Sequence, residues 1–286
     1  MQMLKKYWIL GVLFAGLIMF MFLRDNDSKD VFNYYPADPN VSFIEYRTGL
    51  SAEKVNNQYL LDWNTFSELD RKAFLRQDVG LLFKNGRLKG ALRNWNQNNS
   101  ILSQEDTIRE KDSGLFQTIT FHYAEIHPGP STFSSAQAMS DNSLNVIHSN
   151  NEDFQTFSKP FTKQQQEWQQ TFSKQQEALY NETLMKAENE FQINRNDYTI
   201  IPLTELRTKQ DQFLSGFSKA RQTEIVGRLW EGLYKNYVLG IRKGDGSVIT
   251  PLNSTTPLLL LHKNRKELDV ITITEDGTPA MLIQAL

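Results

Sequence analysis

The sequence predicts an α+β fold: an N-terminal transmembrane helix, then an extracytoplasmic domain in which antiparallel β-hairpins flank a central helical segment. Three observations carry this. Residues 7–23 contain no charged side chain. The dipeptides Asn85-Gly86, Asp245-Gly246 and Asp276-Gly277 punctuate runs with strand character, as two-residue hairpin turns require. Between them, residues 158–192 place Phe161, Trp168, Phe172 and Leu179 at helical spacing.

The first element is the membrane segment. Seventeen residues of helix span about 25 Å, and twenty counted from Leu4 span about 30 Å, the thickness of a bilayer core. Lys5 and Lys6 can reach the headgroups, Tyr7 and Trp8 suit the interface, and Leu23-Arg24 closes the span. A cleaved signal peptide has a shorter apolar core and small residues before the cut. Phe20, Met21, Phe22 and Leu23 stand here instead, so the segment reads as an uncleaved signal anchor. The basic start places residues 1–6 in the cytoplasm and the bulk of the chain outside it.

Residues 24–40 read as a solvated stalk, with charges first and then Pro36 and Pro39. The spacing of Asp25, Asp27 and Asp30 fails the calcium-loop pattern, which needs Gly at the sixth place and Glu at the twelfth. Residues 41–286 then form the domain, as one unit or as two lobes at 41–150 and 151–286.

Within it, Ser51 followed by Lys54, Val55 and residues 59–61 suggests a short capped helix. Phe66, Leu69, Phe74 and Leu75 suggest a second helical face. Residues 78–84 and 87–95 make a hairpin across Asn85-Gly86. Residues 96–114 are polar and turn-like. Residues 115–126 alternate as a strand that His127-Pro128-Gly129-Pro130 ends. Residues 131–142 read as a small-residue loop and 144–148 as a short strand. The helical stretch 158–192 has Ser158 as its expected N-cap. Residues 197–203 connect it to a second helical stretch, 204–231, which Gly216 divides. A β-meander follows: 237–242 with 247–251, then 257–262 with 267–274, then 278–286.

Composition excludes several chemistries. The 286 residues include no cysteine, which rules out disulfides, thiolate metal sites, a cysteine nucleophile and a lipoprotein anchor. Removing the first 23 residues removes two lysines and no acid, so the formal charge moves from −2 to −4. That balance gives no electrostatic case for nucleic acid. No phosphate-binding glycine loop and no G-x-S-x-G elbow occurs, and no cofactor is expected.

His122, Glu125 and His127 are the only close grouping of metal-ligand types. On a strand, odd spacing turns His122 away from both Glu125 and His127, while those two share a face if the strand continues past Ile126. Helical zinc motifs put two ligands on one face, so a strand histidine that is exposed or bonded to backbone is the default here. Glu125, near Tyr123, is the best single candidate for a catalytic acid. Exposed tryptophans among abundant Asn and Gln could stack on glycans, and Trp95 is the candidate kept, but Trp63, Trp95, Trp168 and Trp230 each sit in an otherwise apolar period and read first as core. The leading expectation is a single-pass envelope protein whose outer domain binds a protein partner or wall glycan. The alternatives are an anchored hydrolase using carboxylates and a sensor or accessory subunit of a membrane complex.

Overall fold

Alternation, rather than helical period, governs the first half of the chain. The computed structural model describes residues 33–149, 152–242 and 246–286. In it Phe43–Val55 form strand β1 and Gln58–Lys84 form strand β2. Along β2 the buried positions are Tyr59, Leu61, Trp63, Thr65, Ser67 and Leu69, every second residue. The two short helices expected over 51–75 are therefore strands. Asn56, in the left-handed region at φ 57°, reverses the chain between them, a conformation Asn tolerates better than most residues.

Strands β3 (Arg87–Glu110), β4 (Gly114–Gly129), β5 (Thr132–Ser149) and β6 (Glu152–Phe157) complete a six-stranded antiparallel sheet. The Asn85-Gly86 turn falls as expected, with both residues at positive φ, 50° and 79°. The stretches expected as loops, 96–114 and 131–142, are mostly strand. Their polar residues form the solvent face of β3 and the half-buried rows of β5, which is why they carry no apolar period.

Strand β2 is the organising element. Its whole length pairs with β3, but its other edge is shared: the first half pairs with β1 and the second half with β4. A register shift between Glu68 and Ala73 bends β2 at the boundary, and Asn98 at φ 51° bends β3 beside it. The bend folds the sheet onto itself, and Trp63 fills the inside. A Cβ on Gly80 would stand 3.0 Å from the Trp63 ring and 3.1 Å from Thr120 Oγ1, so glycine is what lets the indole lie against β2.

These features overturn the α+β assignment. The structure is mostly β, 54% strand and 25% helix, with a nearly closed barrel-like sheet. The helices lie together in the second half, with a single strand between them and the remaining strands of that half after them. There, helix α1 (Lys163–Phe191) is capped by Thr162, whose side chain accepts from Gln165 N, rather than by Ser158. Phe161 is 89% exposed and Phe172 is buried. Strand β7 (Tyr198–Pro202) leads to helices α2 (Leu206–Phe213) and α3 (Lys219–Tyr237), divided around Gly216 at φ 91°. A two-residue ladder, β8 (Ile241–Arg242) with β9 (Val248–Ile249), precedes β10 (Leu258–His262), β11 (Glu267–Ile273) and β12 (Pro279–Ala285). The last three join β7 in a second antiparallel sheet, ordered β12-β11-β10-β7.

Residues Tyr34–Leu286 cluster as one compact unit. Trp230 of α3 stacks on Phe121 of β4 at 5.2 Å and 10°. Residues 253–256 join the two sheets: Leu88 N donates to Ser254 O, and Thr255 N donates to Ile273 O. The expected anchor, with Lys5, Lys6, Tyr7, Trp8, Leu23 and Arg24, lies outside the described residues. Among those described, no helix is long and apolar enough to cross a membrane.

Candidate functional site

A charged and hydroxylated network fills one part of the barrel interior. Arg76 and Asp78 are two apart on β2 and point inward, as do Thr120 and His122 on β4, Ser140 on β5 and Thr48 on β1. All are buried. Asp78 Oδ2 accepts from Ser67 Oγ at 2.5 Å and lies 2.8 Å from His122 Nδ1. His122 Nε2 lies 2.7 Å from Ser140 Oγ, which in turn lies 2.5 Å from Thr48 Oγ1. Thr48 donates to Thr120 Oγ1 at 2.7 Å, and its carbonyl accepts from Asn142 Nδ2 at 3.1 Å.

Arg76 supplies the counter-charge. It donates to Ser67 Oγ at 2.5 Å and Ser100 O at 2.8 Å, and its guanidinium sits 3.6 Å from Asp78 Oδ1 and 4.8 Å from the Phe43 ring centroid. Burial lowers the Arg76 pKa, and the Asp78 carboxylate opposes this only in part. Phe43 and Tyr46 of β1 stand beside the His122 ring at 6.1 and 5.7 Å.

The order acid, imidazole, hydroxyl is that of a serine-nucleophile triad, which is recognised by geometry rather than sequence position. A nucleophilic serine also needs open space beside its hydroxyl for a substrate carbonyl, and Ser140 is buried with His122 Nε2 and Thr48 Oγ1 already in contact with its Oγ. The cavity along β5, about 110 Å³, is bounded by Phe121, Gln137 and Met139 on the sheet and by Gln210, Thr223 and Val226 of the helical segment. Ser140 faces the barrel interior instead. Among the described residues no backbone ladder pairs β1 with β5, and the Thr48–Ser140 contact of the network spans these two strands, as a clasp of the barrel seam would.

The sequence candidates divide accordingly. His122 enters the network. Glu125 and His127 face the other side of β4 and contact each other there, as their spacing predicted. Trp95 is 48% exposed on β3, opposite Gln77. The structure does not bring Trp95 together with His122. Among the described residues no group of three or more His, Asp or Glu side chains is placed to hold a metal. Sequence reasoning missed Arg76, Asp78, Ser140 and Thr48. The available signal was the polar face of the 115–126 strand, where Thr118, Thr120 and His122 alternate. On a strand buried on both sides, such a face calls for polar partners inside the sheet.

A second feature lies in the C-terminal sheet. Among the described residues, strand β12 has a sheet neighbour on one side only, and its Ile283 is 63% exposed. Beside it opens a groove of about 660 Å³, bordered by Leu239, Val248, Pro279, Met281, Lys235 and Arg242. Its apolar rim residues Leu239 and Val248 are 47% and 53% exposed.

The fold and these sites define a class: an antiparallel, barrel-like β domain with an appended helix-covered sheet. No family model matches the chain, and neither a curated protein nor a solved structure matches it.

Proposed function

We propose that this protein is a membrane-tethered binding module, held by residues 7–23 with its folded domain outside the cytoplasm, that takes an extended segment of a protein partner along β12. The observation that supports this is the unpaired β12 edge beside an apolar groove. An edge strand presents backbone donors and acceptors for a further strand, and flanking apolar pockets select its side chains. The buried Asp78–His122–Ser140 chain supports a structural role rather than hydrolysis.

The test is co-purification from detergent-solubilised membranes. A partner held by the wild-type chain is expected to be lost with Ile283→Lys, since an edge lysine blocks strand addition. It is expected to be kept with Ile44→Lys, an exposed position on β1. Equal recovery with both variants would move the partner away from β12. Protease added to intact cells tests the tether separately, and a protected C-terminal domain would reverse the orientation.

A further inference from the structure

We infer that the end of the barrel where the chain enters lies against the lipid headgroups through a ladder of aromatic rings. This rests on the tether in the proposed function and adds the orientation of the domain upon it.

Three segments meet at that end. The entering chain runs beside β5, where Asp38 N donates to Ser135 O and Ser135 N donates to Pro36 O, both at 2.8 Å. The bend of β2 brings Asp70 and Phe74 there, and the β4–β5 turn brings His127 and Phe133. Their rings form one continuous series. Tyr35 stacks on Phe133 at 5.2 Å, Phe133 meets the edge of His127 at 4.7 Å, and His127 stacks on Phe74 at 3.8 Å. Phe74 and Phe133 are 50% and 41% exposed. Exposed aromatics clustered in this way are costly in water and suited to the membrane interface.

Chain length selects the occupant. The folded unit begins at Tyr34, and the apolar segment ends at Leu23. Ten residue steps to Asn33 reach about 35 Å at most. The twelve steps of β1 from Phe43 to Val55 rise about 40 Å, so the bilayer lies within reach of the entry end and far from the β1–β2 turn. Arg71 pairs with Asp70 at this end, and the other charged side chains here, Lys72, Asp38 and Glu125, are of both signs, so no basic patch forms. Contact through the rings therefore does not require anionic lipid.

The absence of cysteine permits a clean test with the full chain. Single variants Thr132→Cys, beside Phe133, and Lys54→Cys, at the far end, are labelled with an environment-sensitive dye. Each is reconstituted into phosphatidylcholine vesicles containing a headgroup-nitroxide lipid. The label at 132 is expected to be quenched severalfold more than the label at 54. Adding Phe74→Ser and Phe133→Ser is expected to lower the quenching at 132 while the chain still floats with the vesicles. Equal quenching at the two positions would overturn the inference and leave the tether standing. So would quenching at 132 that survives loss of both phenylalanines. A chain that fails to float would overturn the tether and the orientation together.

Discussion

The two sheets arrange their buried polar groups differently. The C-terminal sheet sets Leu258, Leu260 and Ile271 against Ala187 and Leu184 of α1, and its buried hydroxyls form a short uncharged relay, Tyr237 donating to Thr272 Oγ1 and Thr272 to Thr255 O. The barrel combines a similar apolar cluster around Trp63, Leu82 and Phe116 with an Arg76–Asp78–His122–Ser140–Thr48 chain. The difference follows from closure. Four strands covered by a helix need no seam. A bent sheet that returns on itself must join β1 to β5, and directional side-chain bonds fix that register where apolar contacts would let it slide. Apolar burial contributes most of the energy in both regions, and the polar chain in the barrel contributes specificity.

Breaking the polar chain at its centre should show the largest effect. Asp78→Ala leaves Arg76 and His122 buried without their carboxylate, and removing one partner from such a set costs about 3–5 kcal/mol. Urea unfolding of the full chain in detergent, followed by tryptophan fluorescence, reads this directly. A loss below that of a surface substitution would mean that the network is not the clasp. Leu260→Ala, the matching deletion in the other sheet, should cost roughly 3 kcal/mol through lost transfer energy and the cavity left behind.

Ser140→Ala should cost less, about 1–2 kcal/mol, because Thr48 and His122 each lose one hydrogen-bond partner and neither loses a charge. The same variant separates clasp from catalyst. A fluorophosphonate probe is expected to leave wild-type Ser140 unlabelled, and labelling that disappears in Ser140→Ala would restore the hydrolase reading. Ile283→Lys should change stability by no more than about 0.5 kcal/mol, as surface substitutions do, while removing the partner.

The two regions also differ in how much of them was legible in the sequence. The meander is announced by the apolar run 257–261 and the Asp276-Gly277 turn, and its pairing of 258–261 with 268–271 is observed. The barrel is not announced. Phe66, Leu69 and Phe74 mimic a helix face because the β2 bulge between Glu68 and Ala73 changes which residues face inward. Asn-rich turns such as Asn56 and Asn98 lack the glycine that marks Asn85-Gly86. The clasp brings together residues from four strands, up to 92 positions apart in sequence, and no local spacing encodes that. What was legible was local: Glu125 and His127 share a face and touch, while His122 turns away from them.

The smallest effect sharpens the contrast most, because it uses the same residue type with the opposite sign. Asp269 on β11 is 3% exposed. Burial raises its pKa, and Glu267 adds to the rise, against a smaller lowering by Tyr198 and His262. Burial and the same carboxylate push the Tyr198 hydroxyl up to about 12. The folded chain therefore holds the Asp269 proton to higher pH than the unfolded chain does. Between the ordinary carboxylate value and the raised one, folding takes up a proton, so stability falls as pH rises through that window. Asp269→Asn removes the buried charge. It is expected to be stabilising near neutral pH, with a gain that shrinks as pH is lowered toward the ordinary carboxylate value. Urea midpoints measured across that range check it, and a variant with the wild-type pH slope would show that Asp269 is not the group responsible. Asp78 is held by Ser67, His122 and Arg76: the carboxylate inside the barrel is buried together with its partners, while the one in the sheet is tolerated at a cost.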